Sequence, residues 1–147
     1  MINPNTITPL AQQLKARLLA HEAKIGIIGL GYVGLPLALL YSGAGFRVTG
    51  FDIDDNKVDA LKEGKSYIYR IPAEEIQEAR ANGLMATSDF SNLADMDAII
   101  ICVPTPLNDF QEPDTSFIVF SVFISPSSTE GHTLCAVVSP PAKRGTS

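Results

Sequence analysis

The sequence predicts an α/β fold, a mostly parallel β-sheet with helices on both faces. Three short apolar runs with the composition of buried strands support this prediction: 25–28, 46–51 and 98–103. Segments in which apolar residues recur with helical spacing separate these runs, and such alternation is typical of consecutive βαβ units. The first run also leads directly into a glycine-rich turn, the usual connection from a buried strand to the helix that covers it.

Length and composition narrow the class of protein. The 147 residues are enough for one domain with a sizeable core, and a content of 46% hydrophobic and 18% charged residues excludes disorder throughout. A net charge of −5 argues against nucleic acid or an anionic membrane as the main partner. The sequence shows no signal-peptide pattern, no apolar run of the ~20 residues that span a bilayer, and no paired cysteine motif. We therefore expect a soluble cytoplasmic protein without a metal site.

The glycine-rich turn has a spacing that suits a dinucleotide. Gly29, Gly31 and Gly34 follow the pattern G-x-G-x-x-G, and the apolar period becomes helical after Gly34. In such a unit the first glycine permits the tight turn, the second lets a pyrophosphate approach the backbone, and the third lets helix and strand pack closely. The phosphates would then lie at the helix N-terminus, where unpaired N–H groups and the helix dipole favour negative charge.

A carboxylate stands at the end of the second apolar run. Asp52 lies eighteen residues after Gly34, where a dinucleotide-binding unit carries the acid that accepts hydrogen bonds from the adenosine ribose hydroxyls. The same carboxylate would repel a 2′-phosphate, which favours NAD over NADP. Because strand, glycines, helix, second strand and acid occur in this order, we predict a Rossmann-like domain that binds NAD. The alternative is an ordinary βαβ unit without a ligand.

The remaining elements follow from start and stop signals. Residues 1–23 predict a lead-in helix that begins at Pro9; such a helix usually packs on its own domain, and partner binding is the alternative. The segment 66–72 is irregular and rich in tyrosine. Two further helices are predicted, at 54–64 and 72–83: Asp54 and Asp55 start the first and Gly64 stops it, and Pro72 followed by Glu74 and Glu75 starts the second. A strand at 85–87 and a helical turn starting at 88–91 complete the prediction.

Two further positions leave alternatives open. Lys57 is either a solvated helix residue, which the spacing alone favours, or a side chain that reaches back over the ribose. The third apolar run ends in Val103, Pro104 and Thr105, at the carboxyl end of a strand, where ligands bind in open parallel sheets. There Thr105 would offer a hydroxyl to the ligand, but a stiff proline-containing loop is an equally good interpretation.

Taken together, these motifs resemble the N-terminal NAD-binding domain of the UDP-glucose/GDP-mannose dehydrogenase family. The resemblance is greatest to the branch that oxidises UDP-N-acetylhexosamines at C6. Its most specific motifs are Gly-Tyr-Val-Gly-Leu-Pro at 31–36, Val-Pro-Thr-Pro at 103–106 and Glu-Pro-Asp at 112–114. The match runs from about residue 24 to residue 118, which we take as the NAD-binding domain.

The resemblance implies roles for individual residues. Gly29, Gly31 and Gly34 would lie at the pyrophosphate, Lys57 would be a second ribose contact beside Asp52, and Thr105 would lie near the nicotinamide half. The full set of implied cofactor-binding residues is Gly29, Gly31, Tyr32, Val33, Gly34, Asp52, Lys57, Val103, Pro104 and Thr105.

The resemblance also implies a reaction. The full enzymes of the family oxidise the C6 alcohol of a nucleotide sugar to a carboxylate by two hydride transfers to NAD, through a thioester on a catalytic cysteine. That cysteine, its assisting lysine and the UDP-binding domain would lie after the matched region. Neither Cys102 nor Cys135 has the family motif, so we assign no catalytic residue and expect the chain alone to be inactive. A UDP-sugar would bind only a full-length enzyme, and a homo-oligomer is compatible with this interpretation.

The tail, residues 119–147, departs from the family pattern. The apolar segment 117–124 is either a buried helix or a strand. Residues 125–147 are rich in Ser, Pro, Thr and Gly, a composition that resists packing, although 134–138 can form a fifth strand. Our hypothesis is that the chain is truncated after its first domain or altered in reading frame. The rival hypotheses are a non-catalytic NAD-binding module, a subunit of a larger assembly and a non-functional fragment.

Overall fold

Residues 9–103 and 134–137 are described by a computed structural model. The strands are β1 (Lys24–Ile28), β2 (Arg47–Phe51), β3 (Met85–Thr87), β4 (Ala98–Ile101) and β5 (Leu134–Val137). The helices are α1 (Pro9–Leu19), α2 (Gly34–Gly43), α3 (Asp55–Lys62) and α4 (Ala73–Ala81), with a 3-10 helix at Phe90–Asp95. Among these residues no helix is long and apolar enough to cross a membrane.

The five strands form one parallel sheet in the order β3-β2-β1-β4-β5. This confirms the predicted α/β class. The chain runs outward from β1 through β2 to β3 and then returns to the other side of β1 for β4. Connections therefore leave the carboxyl ends of β1 and β4 in opposite directions, and in open α/β sheets such a switch point creates the crevice that binds ligands.

Two apolar clusters cover the two faces of the sheet. Consecutive residues of β1 point to opposite faces, so Ile27 belongs to the cluster under the helices and Ile28 to the other cluster. Helices α2, α3 and α4 contribute to the first cluster, whereas the 3-10 helix contributes Leu93 to the second. The buried apolar residues of these four helices are Leu35, Ala38, Val58, Leu61, Ile76, Ala79 and Leu93.

The predicted signals at the ends of α3 and α4 are confirmed. Asp54 caps α3 by accepting a hydrogen bond from the Asn56 backbone N–H at 3.0 Å. The chain leaves α3 through Gly64, whose φ of +73° is a left-handed conformation that favours glycine. Pro72 precedes the first turn of α4, in which Glu74 and Glu75 face the positive end of the helix dipole.

Strand β4 is shorter than predicted, because it ends at Ile101 rather than at Val103. The Cys102 N–H still donates to the Ile28 carbonyl at 2.7 Å. Beyond Ile28, however, the chain turns away, and the Gly29 N–H donates instead to the Phe51 carbonyl at 2.8 Å. The strand next to β4 thus stops at Ile28, and the pairing of β4 stops with it.

Strand β5 confirms the fifth strand over four of its five predicted residues. Its backbone pairs with β4 from Ala98 opposite Leu134 to Ile101 opposite Val137. These tail residues therefore join the sheet despite the composition around them. The segment 117–124 and the rest of the tail lie outside the described residues, and the boundaries at 23 and 118 stay predictions.

Helix α1 is tied to the sheet through the side chain of Arg17 and remains largely exposed. Arg17 forms an ion pair with Asp97, whose other carboxylate oxygen accepts a hydrogen bond from the Lys24 N–H at 2.7 Å. Leu18 is partly buried, whereas Leu19 is 74% exposed. The helix thus contacts its own domain through Arg17 and Leu18.

Candidate dinucleotide-binding site

The glycine-rich turn needs its first and third glycines for steric reasons. Gly29 has a φ of +92°, and a Cβ placed on it would lie 2.5 Å from the carbonyl oxygen of Cys102. A Cβ on Gly34 would lie only 1.6 Å from the carbonyl oxygen of Gly29. Gly31 differs, because a Cβ there would meet no atom within 4 Å. The second glycine therefore faces open space, as the approach of a pyrophosphate to the backbone requires.

Asp52 lies at the carboxyl end of β2 and is only 7% exposed. One carboxylate oxygen, Oδ2, accepts a hydrogen bond from the Leu30 N–H at 2.8 Å. The other, Oδ1, accepts one from the Asp54 N–H at 2.9 Å. Because each oxygen can accept a further hydrogen bond, the carboxylate is held in one orientation and still has free acceptor capacity.

Lys57 reaches back from α3 to this carboxylate. Its Nζ lies 3.7 Å from Asp52 Oδ2, and the side chain is 35% exposed. The contact favours the second of the two interpretations of Lys57, in which the residue faces the acid. Partial exposure of the ammonium to water limits what such a pair adds to stability.

Tyr67, in the irregular segment between α3 and α4, also contacts the turn. Its hydroxyl donates to the Leu30 carbonyl at 2.5 Å. Burial, together with the negative charges of Asp52 and Asp54, raises the pKa of Tyr67 well above its usual range. The phenol is therefore a neutral donor at physiological pH. Sequence analysis assigns Tyr67 no role, and the tyrosine-rich composition of its segment is the only signal there.

Lys57 and Tyr67 border a cleft of about 400 Å³ beside the glycine-rich turn. The cleft is lined by Gly31, Tyr32, Asp54, Asn56, Lys57, Tyr67 and Ile68. Sequence reasoning misses four of them, Asp54, Asn56, Tyr67 and Ile68. Asp54 and Asn56 are recognisable in sequence only as the start of a helix, and Ile68 only as an apolar residue.

The other predicted site residues differ in their location relative to the cleft. Tyr32 is 83% exposed at the cleft, whereas Val33 is partly buried and packs against the core. Val103 is partly buried against the cluster on the opposite face. Pro104 and Thr105 lie outside the described residues.

Cys102 is unsuited to nucleophilic chemistry. It is 6% exposed, and burial raises the pKa of its thiol to about 11. The thiol is therefore neutral at physiological pH, although the thiolate is the reactive form. Within the described residues no group of three or more His, Cys, Asp or Glu side chains could hold a metal ion.

Comparison with known proteins identifies the family. The family model for the NAD-binding domain of the UDP-glucose/GDP-mannose dehydrogenases matches residues 23–135. This chain belongs to the UDP-glucose/GDP-mannose dehydrogenase family. The predicted resemblance and the predicted cofactor, NAD, are thus confirmed, because the matched region is the NAD-binding domain of this family. The match continues past residue 118 and ends within β5.

Individual members of the family agree with this assignment. A UDP-N-acetyl-D-glucosamine 6-dehydrogenase from Salmonella typhi is 43% identical over 93 residues, which are 63% of this chain and 21% of that protein. The GDP-mannose dehydrogenase of Pseudomonas aeruginosa, solved as a ternary complex, has a TM-score of 0.71 at 33% identity, covering 78% of this chain and 28% of its own.

A third relative shares the fold over more of the chain. An NDP-N-acetyl-D-galactosaminuronic acid dehydrogenase from Methanosarcina mazei Go1 has a TM-score of 0.75 at 27% identity, covering 91% of this chain and 30% of its own. The chain spans about a fifth of the length of the curated relatives that it matches.

Proposed function

We propose that this chain is the NAD-binding part of a nucleotide-sugar 6-dehydrogenase. In that activity the C6 alcohol of a UDP-N-acetylhexosamine is oxidised to a carboxylate, and NAD, when bound, accepts the hydrides. The observation that carries the proposed binding site is the buried carboxylate of Asp52, oriented by two backbone N–H groups beside the glycine-rich turn. A βαβ unit without a ligand would have no need of a buried acid with free acceptor capacity there.

The proposed ribose site consists of Asp52 and Lys57. The carboxylate would accept hydrogen bonds from the two ribose hydroxyls, since each of its oxygens has used one acceptor position on the backbone. The Lys57 ammonium, 3.7 Å from that carboxylate, would donate to the same hydroxyls. A 2′-phosphate would meet the Asp52 charge at close range, which supports selectivity for NAD over NADP.

The proposed pyrophosphate site is the turn from Gly29 to Gly34. Open space at Gly31 leaves room for the phosphates against the backbone. Helix α2 begins at Gly34 and carries no acidic side chain in its first turn, so its own first turn adds no negative charge at the positive end of its dipole. Tyr32, exposed on the same turn, would lie at the edge of the bound cofactor.

The substrate class is inferred from relatives. The name of the Salmonella typhi relative gives UDP-N-acetyl-D-glucosamine as its substrate, and this chain matches only about a fifth of the length of that protein. We propose that catalysis requires residues outside this domain, since the thiol of Cys102 is buried and neutral and the segment around Cys135 lacks the family motif of the nucleophile. A cytoplasmic location and a homo-oligomeric assembly remain predictions.

Calorimetric titration with NADH and NADPH tests the binding site. We expect saturable NADH binding by the unmodified chain, NADPH binding at least tenfold weaker, and a loss of at least tenfold in NADH affinity on Asp52→Asn. Asp59→Asn, which makes the same change on the exposed side of α3, should stay within twofold. Absence of saturable NADH binding by the unmodified chain would overturn the proposal.

A separate assay tests the requirement for further residues. The full 147-residue chain is mixed with NAD and UDP-N-acetylglucosamine, and NADH formation is followed by absorbance. We expect no turnover. Sustained NADH production by this chain alone, in a sample proven free of any full-length dehydrogenase, would show that the domain carries its own catalytic group.

A further inference from the structure

The peptide groups on both sides of Leu30 are fixed by side chains from elsewhere in the domain. The Leu30 N–H donates to Asp52 Oδ2 at 2.8 Å, and the Leu30 carbonyl accepts from the Tyr67 hydroxyl at 2.5 Å. The Leu30 side chain is 1% exposed and packs over β2, where a Cβ on Gly50 would lie 2.6 Å from Leu30 Cδ2. Leu30, the residue between the first two glycines, is therefore held at its N–H, its carbonyl and its side chain.

The bond from Tyr67 determines the orientation of the next peptide. The Leu30 carbonyl belongs to the same planar trans peptide as the Gly31 N–H, and in such a unit the two groups point in opposite directions. Fixing the carbonyl on Tyr67 consequently fixes the direction of the Gly31 N–H. Gly31 lines the cleft, and no atom lies within 4 Å of its Cβ position.

Tyr67 is itself on a well-anchored segment. The neighbouring Ile68 and Ile71 are 7% and 9% exposed and belong to the main core cluster. The Ser66 hydroxyl donates to the Ile68 carbonyl at 3.0 Å, and the Ile71 N–H donates to the same carbonyl at 2.9 Å. Packing and local hydrogen bonds therefore fix the conformation of the segment that holds the Tyr67 hydroxyl against the turn.

We propose that Tyr67 is a positioning residue that orients the Leu30–Gly31 peptide so that the Gly31 N–H is presented to the cofactor pyrophosphate. This inference rests on the proposed NAD site and assigns a part of its geometry to a residue from the segment between α3 and α4. In this arrangement Asp52 binds the ribose and also orients the turn through the Leu30 N–H, while Tyr67 orients the turn through the Leu30 carbonyl.

The test compares two tyrosines that are two residues apart. Tyr67→Phe removes the hydroxyl and keeps the ring, whereas Tyr69→Phe makes the same change on a fully exposed side chain. Affinities for NADH, ADP-ribose and adenosine are measured for the full chain and both variants. We expect Tyr67→Phe to weaken NADH and ADP-ribose about three- to tenfold, and to leave adenosine, which has no phosphate, within twofold. Tyr69→Phe should leave all three affinities within twofold.

The outcomes separate this inference from the proposed function. An equal loss for adenosine and ADP-ribose would mean that Tyr67 only supports the fold or the ribose site, and unchanged affinities would mean that its hydroxyl is dispensable; either result overturns the inference alone. No NADH binding by the unmodified chain overturns the proposed function and the inference with it.

A measurement on the unmodified chain keeps the test valid if Tyr67→Phe does not fold. In a two-dimensional ¹⁵N–¹H spectrum, ADP-ribose should shift the Gly31 amide strongly and adenosine should not. Equal shifts with both ligands, or no shift with ADP-ribose, would contradict the presentation of Gly31 to the pyrophosphate.

Discussion

The carboxylate of Asp52 accepts a hydrogen bond from the backbone N–H of Leu30 across 2.8 Å. This bond joins the carboxyl end of β2 to the glycine-rich turn after β1, two segments that are 22 residues apart in the chain. The acid proposed to bind the ribose therefore also stabilises the turn proposed to bind the pyrophosphate. A substitution of Asp52 should consequently change both stability and cofactor affinity, in amounts that depend on which acceptors remain.

Asp52→Ala should lower the free energy of unfolding by about 2 kcal/mol or more, because the N–H groups of Leu30 and Asp54 both lose their acceptor. Asp52→Asn keeps one side-chain oxygen and should cost about 1 kcal/mol. Urea denaturation of both variants and the parent measures the difference. Equal stability of the two variants would show that these hydrogen bonds do not cause the loss in free energy of unfolding.

The glycines should divide into structural and binding positions. Gly34→Ala places a Cβ 1.6 Å from the Gly29 carbonyl oxygen, so we expect a loss of at least about 3 kcal/mol or a failure to fold. Gly31→Ala meets no atom within 4 Å and should cost less than about 1 kcal/mol, while weakening NADH binding. Thermal melting and NADH titration of both variants give the comparison. A Gly34→Ala variant that melts with the parent would disprove the steric argument.

The contact that ties α1 to the sheet should depend more on Asp97 than on Arg17. Asp97→Ala removes the acceptor of the Lys24 N–H and the partner of Arg17, and should cost about 1–3 kcal/mol. The Arg17 side chain is 44% exposed, so Arg17→Ala should cost no more than about 1 kcal/mol. Chemical denaturation ranks the two variants. The reverse order would indicate that the ion pair, rather than the backbone contact, holds the helix.

The buried thiol of Cys102 should make stability sensitive to alkaline pH. Burial raises its pKa from a usual value near 9 to about 11, so the folded state favours the neutral thiol. The stabilisation that the neutral Cys102 thiol gives the folded state is fully present below about pH 9. It is lost between about pH 9 and 11, because in this range the thiol of the unfolded chain loses its proton while the thiol of the folded chain keeps it. The expected loss reaches about 2 kcal/mol. Unfolding free energies of the parent and Cys102→Ala are compared across this range, and parallel curves would contradict the prediction.

Local signals in the sequence predicted most of the secondary structure. The run before Gly29, the acids before α3 and the proline before α4 act within a few residues of the elements they begin or end. Local rules did not predict the end of β4, because its last pairing partner is lost where β1 turns at Gly29. They also left β5 as only one interpretation of the tail, since a parallel edge strand is stabilised by a distant neighbour rather than by its own residues.

The residues of the candidate site likewise divide into those that local spacing predicts and those that only tertiary packing places. The glycine spacing and the acid after β2 are readable in sequence because a short strand, turn and helix impose fixed intervals on them. Lys57 remained ambiguous, because its distance to Asp52 depends on how α3 packs against the sheet. Tyr67 had no local signal beyond the tyrosine-rich composition of its segment, since its partner Leu30 is 37 residues away.

The sequence by itself determined the α/β class, the glycine-rich turn and the family, and the class and the family are confirmed. These depend on short intervals between residues, which the covalent chain preserves in any conformation. Tertiary structure alone decided that Asp52 and Tyr67 hold opposite sides of Leu30 and that Lys57 faces the acid. Such contacts join segments far apart in the chain, and their distances exist only after the helices have packed on the sheet.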